Sequence, residues 1–185
     1  MGRRFTATLL LATAIALAVA GSAQALKISR LIAPPSVCKH QRDGTAPDVV
    51  QEQAMRCMTN FARRHAGLGR LGDLQRLDRS AGHKSRDIVR CHSFSHFACG
   101  RDFTYWMRRV GYIPSSCWRA GENIAWGSGG LGTVRSIFRA WMHSTGHREN
   151  ILASDYSHFG VGLDVGPLDG YRRAHVWVQH FGKHC

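Results

Sequence analysis

Two histidines and one glutamate, on three separate segments, are the residues of this sequence best suited to site chemistry. His96 lies in SFSHFACG, Glu122 in AGENIAWG and His147 in WMHSTGHRENIL. Small or aromatic residues bracket each of them, as expected where a fold assembles one polar pocket from distant segments. Two neutral imidazoles and one carboxylate can hold Zn²⁺ with a fourth position open to water. The sequence therefore indicates a polar cleft that binds Zn²⁺ or another divalent cation through these three residues.

A structural role competes with this metal site. Glu122 can accept hydrogen bonds from both histidines simply to satisfy buried polar groups. The zinc-protease signature HExxH is absent from the sequence. His92 and His143 each precede a candidate ligand by four residues, but we expect both at the surface. We expect binding rather than catalysis, and the sequence identifies no catalytic residue.

The N-terminus is typical of a secretory signal peptide. Arg3 and Arg4 precede an apolar stretch, and Ala23 and Ala25 form a small-x-small cleavage site. The apolar stretch is shorter than the ~20 residues that a membrane span requires. We therefore expect a secreted, extracellular protein without a transmembrane segment. The predicted organisation is a signal peptide (1–25), an N-terminal extension (26–47) and a single domain (48–185).

All six cysteines follow the predicted signal peptide. An even number of cysteines in an oxidising compartment predicts three disulfide bonds. The absence of a CxxC pair argues against a structural zinc site. The sequence leaves the connectivity open, and the pairing that we favour is Cys38 with Cys57, Cys99 with Cys117, and Cys91 with Cys185.

The charge balance is strongly basic. The formal net charge is +13, and removing the two charges of Arg3 and Arg4 with the signal peptide lowers it to +11. Such a protein is attracted to anionic surfaces, but no nucleic-acid-binding motif is present, so we expect no specific nucleic-acid partner. The glycines at 127, 129 and 130 resemble a phosphate-binding loop only superficially, because the lysine of that motif is missing.

Hydrophobic periodicity predicts helices first and strands last. The predicted helices run from Asp48, as the cap, to Gly67, from Leu74 to Arg90, from Asp102 to Val110, and from a Thr133 cap to about Gly146. The predicted strands are Gly160–Val165 and Ala174–Phe181, joined by a turn at 167–170. Val176 and Val178 should face one side of the sheet and Trp177 the other.

From about Met55 to Gly182 the sequence resembles the CAP superfamily of cysteine-rich secretory, antigen 5 and pathogenesis-related proteins. The resemblance rests on six segments in the right order: HAGLGRLGDLQRLDRSA, FSHFACG, AGENIAWG, WMHSTGHRENIL, GVGL and VWVQHFG. It implies an α+β fold, a three-layer α-β-α sandwich with a small antiparallel sheet between helices. This agrees with the helices and strands predicted from the residues, and we expect a monomer.

The resemblance also implies a cleft with two histidines and two acidic residues. His96 and His147 match the histidines and Glu122 matches the first acid, whereas Ser144 stands where many relatives have the second, three residues after Trp141. Ser144 should still point into the cleft, but it offers a hydroxyl rather than a charge. The family association implies a lipid, sterol, glycan or protein ligand. The alternative is a secreted metal-dependent hydrolase acting on peptide or cell-wall bonds.

Overall fold

The computed structural model describes residues 28–184. The predicted signal peptide and Cys185 lie outside these described residues. The α-helices bounded within this described part of the chain are α1 (Asp48–His65), α2 (Gln75–Arg90), α3 (Tyr105–Arg109), α4 (Val134–His143) and α5 (Thr145–Leu152). The four strands are β1 (Gly72–Asp73), β2 (Trp118–Ser128), β3 (His158–Leu168) and β4 (Tyr171–His184). Across residues 28–184 no helix has the length and apolar character needed to cross a membrane.

One mixed sheet forms the centre of the domain, in the strand order β1-β3-β4-β2. The three long strands are antiparallel, and the two-residue β1 pairs in parallel with β3. Strand β2 therefore lies at an edge of the sheet. The alternation predicted for β4 is confirmed, because Val176 and Val178 pack into one core cluster and Trp177 into another.

Helices cover both faces of the sheet, as the three-layer prediction requires. The larger core lies between the sheet and α1, α4 and α5, with Met58, Phe138 and Trp141 fully or almost fully buried. The opposite core lies under α2, where Ala81 and Ile88 pack against the valines of β4. Because each amphipathic helix buries one apolar face against the sheet, the sandwich closes on two hydrophobic layers.

The glycines of the GVGL segment let α2 lie directly on β3. A Cβ atom at Gly160 would stand closer than 3.0 Å to the carbonyl carbon of Leu77, and one at Gly162 would crowd the backbone nitrogen of Gly82 in the same way. Both neighbours are helix backbone, so no side chain can turn away to make room. Glycine at these two positions therefore sets the distance between the helix and the sheet.

The helix ends agree only partly with the prediction. Thr133 caps α4 as predicted, since its Oγ1 accepts a hydrogen bond from the backbone N–H of Ser136. The predicted Asp48 cap is wrong: Asp48 is the first helical residue, and Pro47 precedes it without a side-chain cap. Helix α4 ends at His143, and a separate α5 begins at Thr145.

Two disulfide bonds join described residues. Cys38 is bonded to Cys57, as predicted. Cys91 is bonded to Cys99 instead of Cys185, so the predicted Cys99–Cys117 bond is wrong as well. The reason is a tight turn after α2, with left-handed backbone at His92 and Cys99, which brings the two Cα atoms within 5.5 Å. Cys117 is also disulfide-bonded, and residues 28–184 contain no free cysteine.

Candidate functional site

A buried carboxylate on edge strand β2 is the centre of the candidate site. The side chain of Glu122 is 1% exposed, and its two oxygens accept hydrogen bonds from two different histidines. His96 Nδ1 lies 2.5 Å from Oε1, and His180 Nε2 lies 2.8 Å from Oε2. Because an ionised carboxylate can only accept, both of these ring nitrogens carry the proton.

His180 anchors Glu122 from inside the domain. It lies directly opposite Glu122 in the β2–β4 register and is fully buried. On its other side, Nδ1 forms a 2.8 Å hydrogen bond with the Ser80 hydroxyl on α2. The chain from Ser80 through His180 to Glu122 therefore fixes the carboxylate against the α2 layer.

His96 holds the carboxylate from the solvent side. It lies in the loop after α2, where the ammonium group of the buried Lys84 donates a 2.6 Å hydrogen bond to its backbone carbonyl. Its side chain is 52% exposed. With Nδ1 donating to Glu122, the Nε2 of the neutral ring keeps an unshared lone pair. This nitrogen can accept a proton or bind a cation.

His147 reaches the same region from α5, on the other side of edge strand β2. Its Nδ1 lies 2.8 Å from the Ser144 hydroxyl, and its ring hydrogen-bonds the backbone carbonyl of Ile124. Burial lowers the pKa of His147 below its ordinary value, the proximity of the His96 imidazole lowers it further, and the Ile124 contact opposes both effects. At neutral pH the ring is therefore uncharged.

Amide side chains tie the strand to α5. Asn123 donates to the backbone carbonyl of His147 at 3.1 Å, and Asn150 donates to the side-chain oxygen of Asn123 at 2.9 Å. Asn150 also lies 3.3 Å from the backbone carbonyl of Glu122. The GEN and GHREN segments are thus joined by hydrogen bonds, and this fixes the distance between the two sides of the site.

Glu122 is charged despite its burial. Burial raises its pKa, but the hydrogen bonds from His180 and His96 and the nearby Lys84 charge outweigh that effect, so the pKa lies below the ordinary glutamate value. A charged, hydrogen-bonded carboxylate is well suited to orient an imidazole. Because its side chain is 1% exposed, the remaining lone pairs of its two oxygens are shielded from solvent.

The four predicted cleft residues fall into two contacting pairs. His96 contacts Glu122, and Ser144 contacts His147. Within residues 28–184 no group of three or more His, Cys, Asp or Glu side chains has the arrangement of a metal site. His92 and His143 lie at the surface, apart from these pairs.

Sequence reasoning missed three buried partners of the site: Ser80, Lys84 and His180. Lysine and serine on a helix carry no signal of burial. His180 did carry one, because period-2 alternation from Val176 and Val178 places it on the same buried face of β4. A histidine at a buried strand position requires a polar partner, and Glu122 is the residue opposite it.

The fold and the His–Glu site together define a CAP-type domain. The model of the cysteine-rich secretory protein family, CAP, matches residues 57–181. The chain therefore belongs to this family, as its resemblance predicted.

The relatives found are bacterial. YkwD of Bacillus subtilis is 33% identical over 153 residues, which are 80% of this chain and 54% of that protein. The membrane protein YlbC of the same organism is 33% identical over 108 residues, 58% of this chain and 30% of that protein. This chain thus spans about half, or less, of the length of these two relatives.

Solved structures share the fold. An extracellular protein of Bacillus anthracis with an SCP domain superposes with a TM-score of 0.60 at 24% identity, covering 72% of this chain and 40% of that one. An outer surface protein of Borrelia burgdorferi superposes with a TM-score of 0.58 at 17% identity, covering 71% of this chain and 90% of that one. A cysteine-rich secretory protein of Staphylococcus aureus superposes with a TM-score of 0.56 at 17% identity, covering 74% of this chain and 39% of that one.

Proposed function

We propose that this protein is a secreted binding module whose cleft takes up a divalent cation, Zn²⁺ most readily, on the imidazoles of His96 and His147. The observation that supports this is the state of His96. Its Nδ1 lies 2.5 Å from a buried carboxylate, and within residues 28–184 the Nε2 of this half-exposed ring makes no hydrogen bond. Histidines that bind metals are oriented by a carboxylate in the same way.

Glu122 is the orienting group in this proposal rather than a third ligand. Its side chain is 1% exposed and both of its oxygens accept hydrogen bonds from histidines, so little of the carboxylate is open to a cation. His147 must likewise exchange one of its contacts, with Ser144 or with Ile124, to join the cation. Two imidazoles, with water completing the coordination, give a modest affinity and leave positions open for a ligand.

The surroundings of His96 favour a ligand with an apolar part. Phe94 and Phe97 flank it in the sequence and are 42% and 67% exposed. Exposed aromatic side chains beside a polar cleft are typical of a binding surface. A lipid, sterol, glycan or protein that offers both an apolar group and a cation ligand fits this rim. The outer-surface, extracellular and secretory names of the structural neighbours are consistent with a role outside the cell.

A metal-dependent hydrolase is the second candidate. Such an enzyme needs a general base that can take a proton from bound water. Glu122 is the acid of the cleft, but its buried oxygens are both engaged by histidines. This arrangement favours the binding module over the hydrolase.

Calorimetric titration of the protein with ZnCl₂ at neutral pH tests the proposal. We expect one site in the wild type, and we expect it to disappear in His96→Ala and weaken strongly in His147→Ala. His143→Ala is the matched control, because it removes an exposed imidazole on α4 that makes no hydrogen bond to His96, Glu122 or His147. Absence of Zn²⁺ uptake by the wild type, or uptake that survives in the double His96→Ala, His147→Ala variant, would overturn the metal site.

A further inference from the structure

A second cavity lies at the opposite end of the sheet from the cleft and has a different chemistry. It encloses about 450 Å³, a volume suited to a small ligand. In the β2–β4 register its His175 lies opposite Gly127, five residues along the strand from the Glu122–His180 pair. At ~3.3 Å per residue the two places are about 16 Å apart.

The lining of this cavity is basic and contains no acidic side chain. The residues that line it are Arg42, Gly44, Thr45, Ser128, Gly129, Gly130, Thr133, Arg173 and His175. Within residues 28–184 the guanidinium groups of Arg42 and Arg173 make no ion pair or hydrogen bond, unlike those of Arg56, Arg90 and Arg101. Two unpaired guanidinium groups on one cavity create a positive potential that an anion would neutralise.

Neighbouring basic residues add to this potential, and the carboxylate of Asp43, which accepts hydrogen bonds from Thr45 of the lining, opposes it. Arg135, at the start of α4, hydrogen-bonds the side chain of Gln41 and the carbonyl of Ala33. Burial, followed by the positive charges of Arg42 and Arg139, lowers the pKa of Arg135. Like charges held together without a counter-ion destabilise one another, and a bound anion would remove that repulsion.

The walls of the cavity are rigidly held. The buried His175 donates from Nε2 to the carbonyl of Gly44 at 2.9 Å, which joins the segment before α1 to β4. Trp177 donates to the carbonyl of Gly132 at 2.9 Å, and the hydroxyl of Ser136 donates to that of Gly130 at 2.7 Å. The glycine-rich turn is thus fixed at both ends, so it loses little conformational entropy when a ligand binds.

Glycine leaves the floor of the cavity open. A Cβ atom built at Gly129 or Gly130 would meet no protein atom within 4 Å. Glycine is therefore not required there for packing against the protein, and at Gly130 the backbone does not require it either, since its φ is not positive. A side chain at this lining position would therefore displace no protein atom.

We propose that this cavity binds the phosphate group of a phosphate ester, with Arg42 and Arg173 as the groups that hold it. Guanidinium groups bind phosphate oxygens through paired, charge-assisted hydrogen bonds. The volume leaves room for a small organic group on the phosphate, such as a glycerol or a sugar. The ester is either a soluble molecule or the headgroup of a lipid.

The experiment is a titration of the protein with inorganic phosphate and with glycerol phosphate, in a phosphate-free buffer of low ionic strength. We expect Arg42→Ala and Arg173→Ala each to weaken binding by about tenfold, the effect of losing charge-assisted hydrogen bonds. Arg172→Ala is the matched control. It removes the same charge at the neighbouring position, and the Arg172 side chain does not line the cavity. Gly130→Asp should abolish binding while the fold, followed by circular dichroism, is unchanged.

Vesicles of phosphatidylcholine with and without phosphatidic acid distinguish the two sources of the phosphate. If Arg173→Ala weakens association with the phosphatidic acid vesicles more than Arg172→Ala does, the lipid headgroup is the source. If only the soluble esters show this difference, the source is a soluble ester. No phosphate binding by the wild type, or equal losses in the Arg172 and Arg173 variants with every probe, would overturn the proposal and leave only the general basic charge.

Discussion

Glu122 shows how one residue determines the character of a site. Its carboxylate accepts from a fully buried histidine on one oxygen and a half-exposed histidine on the other. The buried His180 fixes the carboxylate, and the carboxylate fixes His96. Because the carboxylate is buried and both of its oxygens accept hydrogen bonds, the atom left available to a ligand is the Nε2 of the half-exposed His96. The chemistry of the cleft therefore depends on an imidazole that is held in place by a carboxylate.

Replacing Glu122 by glutamine tests its orienting role. Glutamine keeps one oxygen acceptor but loses the charge and presents an N–H₂ group to one of the two histidines. We expect Zn²⁺ affinity to fall by about 10–100-fold, as for other groups that orient a metal ligand, rather than to vanish. The measurement is calorimetric titration, with Glu149→Gln on the exposed side of α5 as the control. Equal affinities in wild type and Glu122→Gln would contradict this role.

The buried His180 should matter for stability. Leucine in its place leaves one oxygen of Glu122 and the hydroxyl of Ser80 without their partner. Each orphaned buried group costs about 1–3 kcal/mol. Urea denaturation of His180→Leu should therefore show a clear loss in the free energy of unfolding, whereas His143→Leu at the surface should stay within about 0.5 kcal/mol of wild type. A His180→Leu protein as stable as wild type would show that this hydrogen-bond chain contributes nothing.

At the scale of elements, the contact between α2 and β3 depends on glycine. In Gly160→Ala the new methyl group would meet the helix backbone at Leu77, so the helix must move away from the sheet. Such overpacking costs about 1–3 kcal/mol or more. Thermal or denaturant unfolding measures the loss, and Gly69→Ala is the control because its Cβ would meet no atom within 4 Å. Similar stabilities for the two variants would mean that α2 adjusts at no cost.

Elements with strong periodicity were predictable from the sequence, and those shaped by tertiary contacts were not. The long helices and the two C-terminal strands carry clear apolar repeats. Strand β2 was missed because GENIAWG mixes small, polar and apolar residues; it is a strand because β4 pairs with it along its whole length. Helix α5 was missed because its apolar residues follow no helical stripe: Ile151 is its only buried residue.

The candidate site was predictable to the same partial extent. His96, Glu122, Ser144 and His147 stand out by motif, and their segments were identified. Which atoms meet could not be predicted, because this depends on strand register and on the turn closed by Cys91 and Cys99. The assignment of Glu122 to two histidines required the β2–β4 pairing, which no local pattern in the sequence encodes.

In the whole molecule, residues from both helical layers of the sandwich lie beside the edge strand β2. His96 comes from the α2 layer and His147 from the α4–α5 layer, and β2 lies between them. The second cavity, with Arg42 and Arg173, lies at the far end of the same strand pair. One sheet thus supports two places of different charge character, one around a carboxylate and one around guanidinium groups.

Stability should fall in mild acid, partly because of His147. Its pKa in the folded protein lies below the ordinary histidine value of 6.5, so the unfolded chain binds more protons than the folded protein as the pH falls. The stability that the neutral His147 ring contributes is complete above its pKa in the unfolded chain. This stability is lost as the pH falls from about 6.5 towards its pKa in the folded protein. Denaturation at a series of pH values should show a steeper loss for wild type than for His147→Gln. Parallel curves would contradict the lowered pKa.

Cation binding by His96 and His147 is tested most directly by the anomalous diffraction of a crystal soaked with ZnCl₂, measured at the zinc absorption edge. We expect a peak bonded to Nε2 of His96 and to the ring of His147, with the Glu122 oxygens still paired to His96 and His180. A peak bonded to the Glu122 carboxylate would contradict its orienting role. The lack of any peak in the cleft would contradict cation binding itself, and the two histidines would then be part of a structural hydrogen-bond cluster.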